Sequence, residues 1–192
     1  MKQLDVGGVA RVDLPATVHD VRIRPYGIGD EQALRQMSDR LSRESLYTRF
    51  FSGTPAIPEA YVRALHRLDH WDREALVALL DGRMLGIAEY VRDREEPRRA
   101  EIAVMITDPW QRHGLGSRMV AFLSRLAERR GITEFGADVV LANRTAMSAI
   151  RAAWPAAKPA ADGGSVHYRL PLPPAFAVPA PAPSRDGSAV PG

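Results

Sequence analysis

Six residues carry the densest chemical signal in the chain: Gln111-Arg112-His113-Gly114-Leu115-Gly116. They follow an apolar run, Ala100-Glu101-Ile102-Ala103-Val104-Met105-Ile106. They lead into a stretch with Leu115, Met119, Phe122, Leu123 and Leu126 at helical spacing. A strand, a loop with two close glycines and an amphipathic helix, in that order, make an anion site. The first amides of a helix lack internal partners, and the macrodipole places partial positive charge there. Glycines let a phosphate approach the backbone. Arg112 and His113 flank the same turn. Two competing phosphate motifs fail here. A dinucleotide fingerprint needs a third glycine where Met119 stands, and a P-loop needs Gly-Lys-Ser/Thr. Ahead of the loop, Glu101 is either a proton acceptor, a solvated strand residue or a partner for Arg99. Glu89, one strand away, is a second carboxylate that could bind a cation or relay a proton.

The elements that must position these residues alternate in period. Val21-Arg22-Ile23-Arg24-Pro25 alternates apolar and basic, a short strand. Asp30 is expected to cap a helix with Leu34, Met37 and Leu41 on one face. Pro58-Glu59 opens a second helix carrying Tyr61, Val62, Leu65 and Leu68. Residues 75–80 and 84–91 read as strands joined by Asp81-Gly82. That dipeptide favours a type I′ hairpin turn, in which both central residues take positive φ. Residues 100–106 form a third antiparallel strand. The helix beginning at the glycine loop ends with Arg129 and Arg130 in its last turn and Gly131 as cap. A strand at 135–141, a helix capped by Asn143 with Met147 and Ile150 inside, and a strand at 166–170 complete the order. This is an α/β chain with a mixed sheet.

Composition narrows the function classes. With 192 residues, 45% hydrophobic and 26% charged, one domain with its own core is expected. The absence of cysteine excludes disulfides, a thiolate zinc site and a cysteine nucleophile. A net charge of +3 suits an anionic ligand and supplies no basic tract for nucleic acid. No signal-like core opens the chain, and no apolar run approaches the roughly 20 residues of a membrane helix. A cytoplasmic protein without a membrane contact is expected. Residues 1–20 read as a flexible segment, 21–172 as the folded unit, and 173–192 as a Pro/Ala-rich disordered tail. His66 and His70 lie four apart without a third ligand, which suits a surface pair better than a metal site. Met37, Met119 and Met147 are core candidates, and Trp110 is a packing residue. Arg22, Arg24, Arg98 and Arg99 read as solvated edges.

At the glycine loop the chain resembles the GNAT acetyltransferase superfamily, whose signature is Gln/Arg-x-x-Gly-x-Gly/Ala. Gln111 through Gly116 match every fixed position, and the order of strands and helices matches over residues 21–172. The resemblance implies the GNAT fold: a mostly antiparallel mixed sheet flanked by helices and splayed at the acetyl-CoA site. It implies that Gln111, Arg112, His113, Gly114, Leu115, Gly116 and Ser117 hold the pyrophosphate of acetyl-CoA. It implies that Val104, Met105 and Ile106 pair with the pantetheine arm as an added strand would, and that Asn143 contacts the arm. The sequence is most similar to bacterial Pat-type protein-lysine acetyltransferases. Those carry Ala-Glu-x-Ala where Ala100-Glu101-Ile102-Ala103 stands, which implies Glu101 as general base. Ser45-Leu46-Tyr47-Thr48-Arg49-Phe50-Phe51 resembles the acceptor-side segment of the same proteins. No metal or covalent intermediate is required. Two departures stand out. The family's Gly-Phe after the last helix is replaced by Ala153-Trp154-Pro155, and its acid tyrosine has no counterpart at Ala152 or Ala153, while Tyr168 comes later on a strand. The implied activity is direct acetyl transfer to an amine acceptor, with protein lysine first and a small amine second. A non-catalytic acyl-CoA-binding regulatory module is the alternative from another class. A monomer, or a homodimer through the hairpin edge, is expected.

Overall fold

The structure, a computed structural model, describes residues 16–175. Its elements run β1 (Arg22–Pro25), α1 (Glu31–Met37), α2 (Arg43–Phe50), α3 (Glu59–Leu65), β2 (Arg73–Leu80), β3 (Arg83–Arg92), β4 (Arg99–Ile106), α4 (Leu115–Arg129), β5 (Glu134–Val140), α5 (Arg144–Ala153), β6 (Pro159–Asp162) and β7 (Ser165–Pro171). The strands form one sheet in the order β1-β2-β3-β4-β5-β7-β6. Every neighbouring pair is antiparallel except β4 with β5. The helical crossover through α4 is what makes that one pair parallel.

Alternation along the strands sorts side chains between two helical layers. On one side α4 and α5 pack Met119, Leu123 and Ile150 against Tyr90, Phe135 and Tyr168. On the other, α1–α3 pack Leu34, Met37, Leu46, Val62 and Leu65 against Val77, Ile87 and Met105. This second cluster takes nothing from β5, β6 or β7. Among the described residues, then, the helices of that layer cover β1–β4 and leave the same face of β5 and β7 without a helix. Glu101 and Ala103 alternate with Met105 and so face this side, at the border between covered and open sheet.

Several local expectations hold for the physical reasons given. Asp81 and Gly82 both have positive φ, 48° and 75°, as a type I′ turn requires. Gly131 takes φ 79°, and Ile132 N donates back to Ala127 O at 3.0 Å, which closes α4 with a Schellman motif. Other expectations need correction. The first helix stops at Met37, and a 3-10 turn over Ser38–Arg40 precedes extended Leu41, so Leu41 is buried beside the helix rather than in it. Asp30 holds the N-cap position of α1, but its side chain makes no capping bond to that helix. It accepts from Gly27 N at 2.9 Å and forms a two-pronged ion pair with Arg24 at 2.6 and 2.7 Å. Helix α2 and strand β6 are both additions to the expected order, and α3 ends before Leu68. Phe122 is 41% exposed, lying outside the Leu115–Met119–Leu123 stripe with Arg125 above its ring. The β2–β3 hairpin lies inside the sheet, and among the described residues the edge strands are β1 and β6, the latter belonging to the β6–β7 hairpin. Most of segments 1–20 and 173–192 falls outside the described residues. No described helix is long and apolar enough to cross a membrane.

Candidate active site

Strands β4 and β5 pair at only three positions: Arg99 with Glu134, Ala100 with Phe135, and Glu101 with Gly136. Beyond Glu101 the strands part. The β5-facing edge of residues 102–106 therefore has no strand partner among the described residues, while the other edge stays paired to β3 as far as Gly86–Ile106. A V-shaped cleft results, with Glu101 at its apex. The backbone of Val104, Met105 and Ile106 lines one arm. Their side chains point elsewhere: Met105 into the α1–α3 cluster, Val104 and Ile106 toward α4.

At the mouth of the cleft stands the glycine loop. Gln111 is extended, Arg112 adopts φ 62°, and Gly114 adopts φ 84° as the residue before α4. No side chain caps α4, so its first-turn amides remain available to an anion. Gly116 and Ser117 lie in that turn. Leu115 is fully buried, which leaves only its backbone on offer. Arg112 and His113 are exposed, and His113 Nδ1 donates to Gln111 O at 2.7 Å. Gln111 has a different part to play. Its amide nitrogen donates to Ser45 Oγ at 3.0 Å and to Ile106 O and Asp108 Oδ1 at 3.1 Å each. Asp108 in turn accepts from Ser45 Oγ at 2.7 Å and from Ser42 N at 3.1 Å. The motif glutamine is thus a brace between the loop and the start of α2, and its side chain is not free for a phosphate. Asn143 stands at the start of α5, where its Oδ1 accepts from Ala146 N at 3.0 Å.

The Glu101 carboxyl lies directly over Gly136. A Cβ built on Gly136 would come within 2.0 Å of Glu101 Oε1, so only glycine leaves that place open. The residue is exposed at its edge, yet its pKa is raised, first by partial desolvation of the carboxyl. Asp138 adds to the rise, while His167 and Arg99 oppose it. Arg99 is no dedicated partner of Glu101, because it is engaged by Glu96 and Glu134, at 3.0 Å each. Asp138 and His167 face each other across β5 and β7, and His167 Nδ1 lies 2.9 Å from Asp138 Oδ1. Ligand-type atoms of Glu101, Asp138 and His167 lie within 4.8 Å of one another. These two neighbours, Gly136 and the Ser45–Asp108 brace were not singled out from the sequence.

Glu89 lies on the neighbouring strand, opposite Ala103 and on the same face of the sheet as Glu101. It is 4% exposed and is held by Arg49 at 2.5 Å and Arg73 at 3.1 Å. Arg49 also lies 5.0 Å over the rings of Phe50 and Tyr61. The Glu89 carboxylate is thus shared by two guanidiniums, unlike that of Glu101. Tyr168 is buried in the α4–α5 core, on the face opposite Glu101. His66 and His70 bond separately to Glu31 and Glu74, at 2.8 and 2.7 Å. A cavity of about 880 Å³ lies at the far end of the sheet, by Trp71, Arg92 and Arg130, and one of about 420 Å³ lies beside Thr107 and Trp110. Glu101 lines neither.

The model of the acetyltransferase (GNAT) family matches residues 41–153, from before α2 to the end of α5. The chain belongs to the GNAT family of acetyltransferases. Acetyltransferases of this family use acetyl-CoA, and the open edge of β4 with the uncapped start of α4 fits such a ligand. It is 33% identical to an acetyltransferase of Pseudomonas aeruginosa over 128 residues, 65% of this chain and 68% of that one. It is 29% identical to acetyltransferase Pat of Mycolicibacterium smegmatis over 163 residues, 82% of this chain. That match spans 47% of Pat, so this GNAT chain corresponds to less than half of that relative. The GNAT domain of S. lividans PAT superposes with a TM-score of 0.70 at 26% identity, covering 79% of this chain and 90% of that one. A Thermoplasma acidophilum N-acetyltransferase solved with coenzyme A shares the fold, with a TM-score of 0.57 at 18% identity over 79% of this chain and 98% of that one.

Proposed function

We propose that this GNAT protein transfers acetyl directly from acetyl-CoA to the side-chain amine of a protein lysine, with Glu101 as general base. The observation that carries the reading is the parting of β4 from β5 immediately beyond the Glu101–Gly136 pair. It puts a carboxylate at the apex of a cleft whose mouth is an anion-binding helix start. Acetyl-CoA supplies the activated acetyl group as its thioester. The chain's own residues do the rest. The amides of residues 112–117 bind the diphosphate, and the free edge of residues 104–106 aligns the pantetheine arm. Asn143, on the opposite arm, contacts the same ligand. An amide of residues 104–106 donates to the thioester oxygen as negative charge develops there. Glu101 takes a proton from the acceptor ammonium, which frees the lone pair for attack. Its raised pKa suits that role, because a more basic carboxylate accepts a proton more readily. The leaving thiolate needs little acid assistance, since a thiol pKa near 8.5 leaves a stable anion.

A macromolecular acceptor is supported by the open face beside Glu101, where β5 and β7 carry no helix in that layer, and by the similarity to Pat. The test measures thiol release from acetyl-CoA with lysine peptides and, separately, with polyamines. Turnover on lysine peptides with Glu101→Gln binding acetyl-CoA normally but losing rate at pH 7 is the expected result. A parent-like rate in Glu101→Gln overturns the base assignment. Turnover on polyamines alone overturns the lysine assignment, and calorimetric binding without turnover on any acceptor makes the chain a binding module.

A further inference from the structure

The open face beside Glu101 holds more than a lone base. Three strands meet there, and each contributes one ionisable side chain: Glu101 from β4, Asp138 from β5 and His167 from β7. The sheet register fixes this grouping. Glu101 pairs with Gly136 on β5, Asp138 follows two residues later on the same face, and His167 lies directly opposite Asp138. Atoms of the three groups that could bind a proton or a ligand lie within 4.8 Å of one another. Since a carboxylate can only accept, the 2.9 Å contact makes His167 Nδ1 the donor to Asp138 Oδ1. Asp138 therefore orients the imidazole, much as a carboxylate orients a catalytic histidine.

We propose that Asp138 and His167 are positioning residues of the transfer reaction, which together set the protonation state of Glu101. The inference rests on the base role proposed for Glu101. Other charges near Glu101 are committed elsewhere. Arg99, on the same strand, is paired with Glu96 and Glu134, and Arg169 on β7 is paired with Glu134 at 2.8 Å. On the β3–β4 connection Asp93 accepts from the amides of Glu95 and Glu96. On β3 and α2, Glu89 and Arg49 are paired with each other. Asp138 and His167 are the two charges grouped with Glu101 within 4.8 Å, ahead of the smaller effects of Arg99 and Asp93, and they act with opposite sign. A neighbouring imidazolium favours the ionised carboxylate, while a neighbouring carboxylate disfavours it. The pair therefore lets Glu101 be ionised to receive the proton of an incoming ammonium without being locked in that form. The proton passes from the acceptor nitrogen to Glu101 and from there to solvent, which reaches this exposed face.

The experiment is the pH profile of kcat/KM for a lysine peptide in the parent, His167→Asn and Asp138→Asn. The acid limb reports the base of the free enzyme. In His167→Asn the limb should move to higher pH, and in Asp138→Asn to lower pH. Each shift should be about half a unit or more, the size Coulomb's law gives in water for unit charges at this separation. Melting temperature and acetyl-CoA affinity should stay within error, because an exposed pair contributes little to stability. Shifts of the same sign, or no shift in either variant, overturn the proposal. Glu101→Gln separates the two levels. If its limb is lost while neither neighbour moves the parent's limb, only this inference fails. If Glu101→Gln keeps both limb and rate, the base assignment itself fails.

Discussion

A Gly136→Ala variant should fold and bind acetyl-CoA like the parent and lose about 100-fold in kcat. The added Cβ would lie 2.0 Å from Glu101 Oε1, 2.6 Å from its Cδ and 2.7 Å from Oε2. Ordinary contact begins at 3.4 Å, so the nearest oxygen must withdraw by about 1.4 Å (3.4 less 2.0). The carboxyl ends a flexible, partly exposed side chain and can rotate away for about 1 kcal/mol. Alanine meanwhile restricts the unfolded chain and returns about 0.4–1 kcal/mol, so the net change in stability is close to zero. The melting temperature should move by no more than about 3 °C. Chemistry has no such tolerance. A reacting group misplaced by about 1 Å costs on the order of 100-fold, or about 2.7 kcal/mol of barrier. The assay is initial-rate thiol release at saturating acetyl-CoA, with calorimetry for cofactor affinity and a thermal melt for folding. A full kcat in the well-folded variant would refute the reasoning, since the position of the Glu101 carboxyl would then not matter. A fall of more than about 10 °C would refute it differently, by showing that Glu101 cannot yield and that the contact is part of the core.

Three further outcomes follow from the same geometry. Glu89→Ala leaves Arg49 and Arg73 without their carboxylate and should cost about 3 kcal/mol, or roughly 6–12 °C in Tm; an unchanged Tm with lost kcat/KM would place Glu89 in the chemistry. Gly114→Ala forces a side chain to φ 84° at a cost of roughly 1–2 kcal/mol and should weaken acetyl-CoA binding about tenfold. Gly116→Ala should leave stability within about 0.5 kcal/mol, because its Cβ meets only Ile106 Cγ1 at 3.9 Å; identical calorimetric and melting behaviour of the two variants would show that the left-handed turn does not hold the loop. Finally, the folded protein holds the Glu101 proton more tightly than the unfolded chain, so stability falls as pH rises from the usual 4.5 through the raised value. Glu101→Gln should therefore melt no lower than the parent at pH 7, and a lower Tm there would contradict the desolvation argument.

The brace at Gln111 connects two halves of the site. Loop and acceptor-side helix share the same few hydrogen bonds: Gln111 to Ser45, and Ser45 and Ser42 to Asp108. Each such bond is worth about 1 kcal/mol net. Their joint effect is geometric, because the start of α2 and the turn before α4 cannot move apart independently. The motif's first position reaches across 66 residues of chain to Ser45.

What the sequence alone determined is local. The turn at Asp81-Gly82, the closing Gly131, the Asn143 cap and the glycine loop before α4 depend on backbone conformations that a few neighbouring residues dictate. The family signature sits in one of these turns, so the cofactor end of the site was legible from residue types and spacing. The amine end was not. Glu101 could be picked out, but whether it sits in water, beside Arg99 or over a glycine depends on how β4 registers against β5, 35 residues further along. Glu89 reads in the sequence as an alternative carboxylate that could bind a cation or relay a proton. Only tertiary structure brings Arg49, 40 residues away, into contact with it and pairs its carboxylate. Phe122 fits a helical stripe on paper but lies exposed at its margin, with Arg125 over its ring. Alternation and turn chemistry are short-range and can be read along the chain. Strand register and the meeting of distant charges are set by the whole sheet, and that is where Glu101, Gly136, Asp138 and His167 become one site.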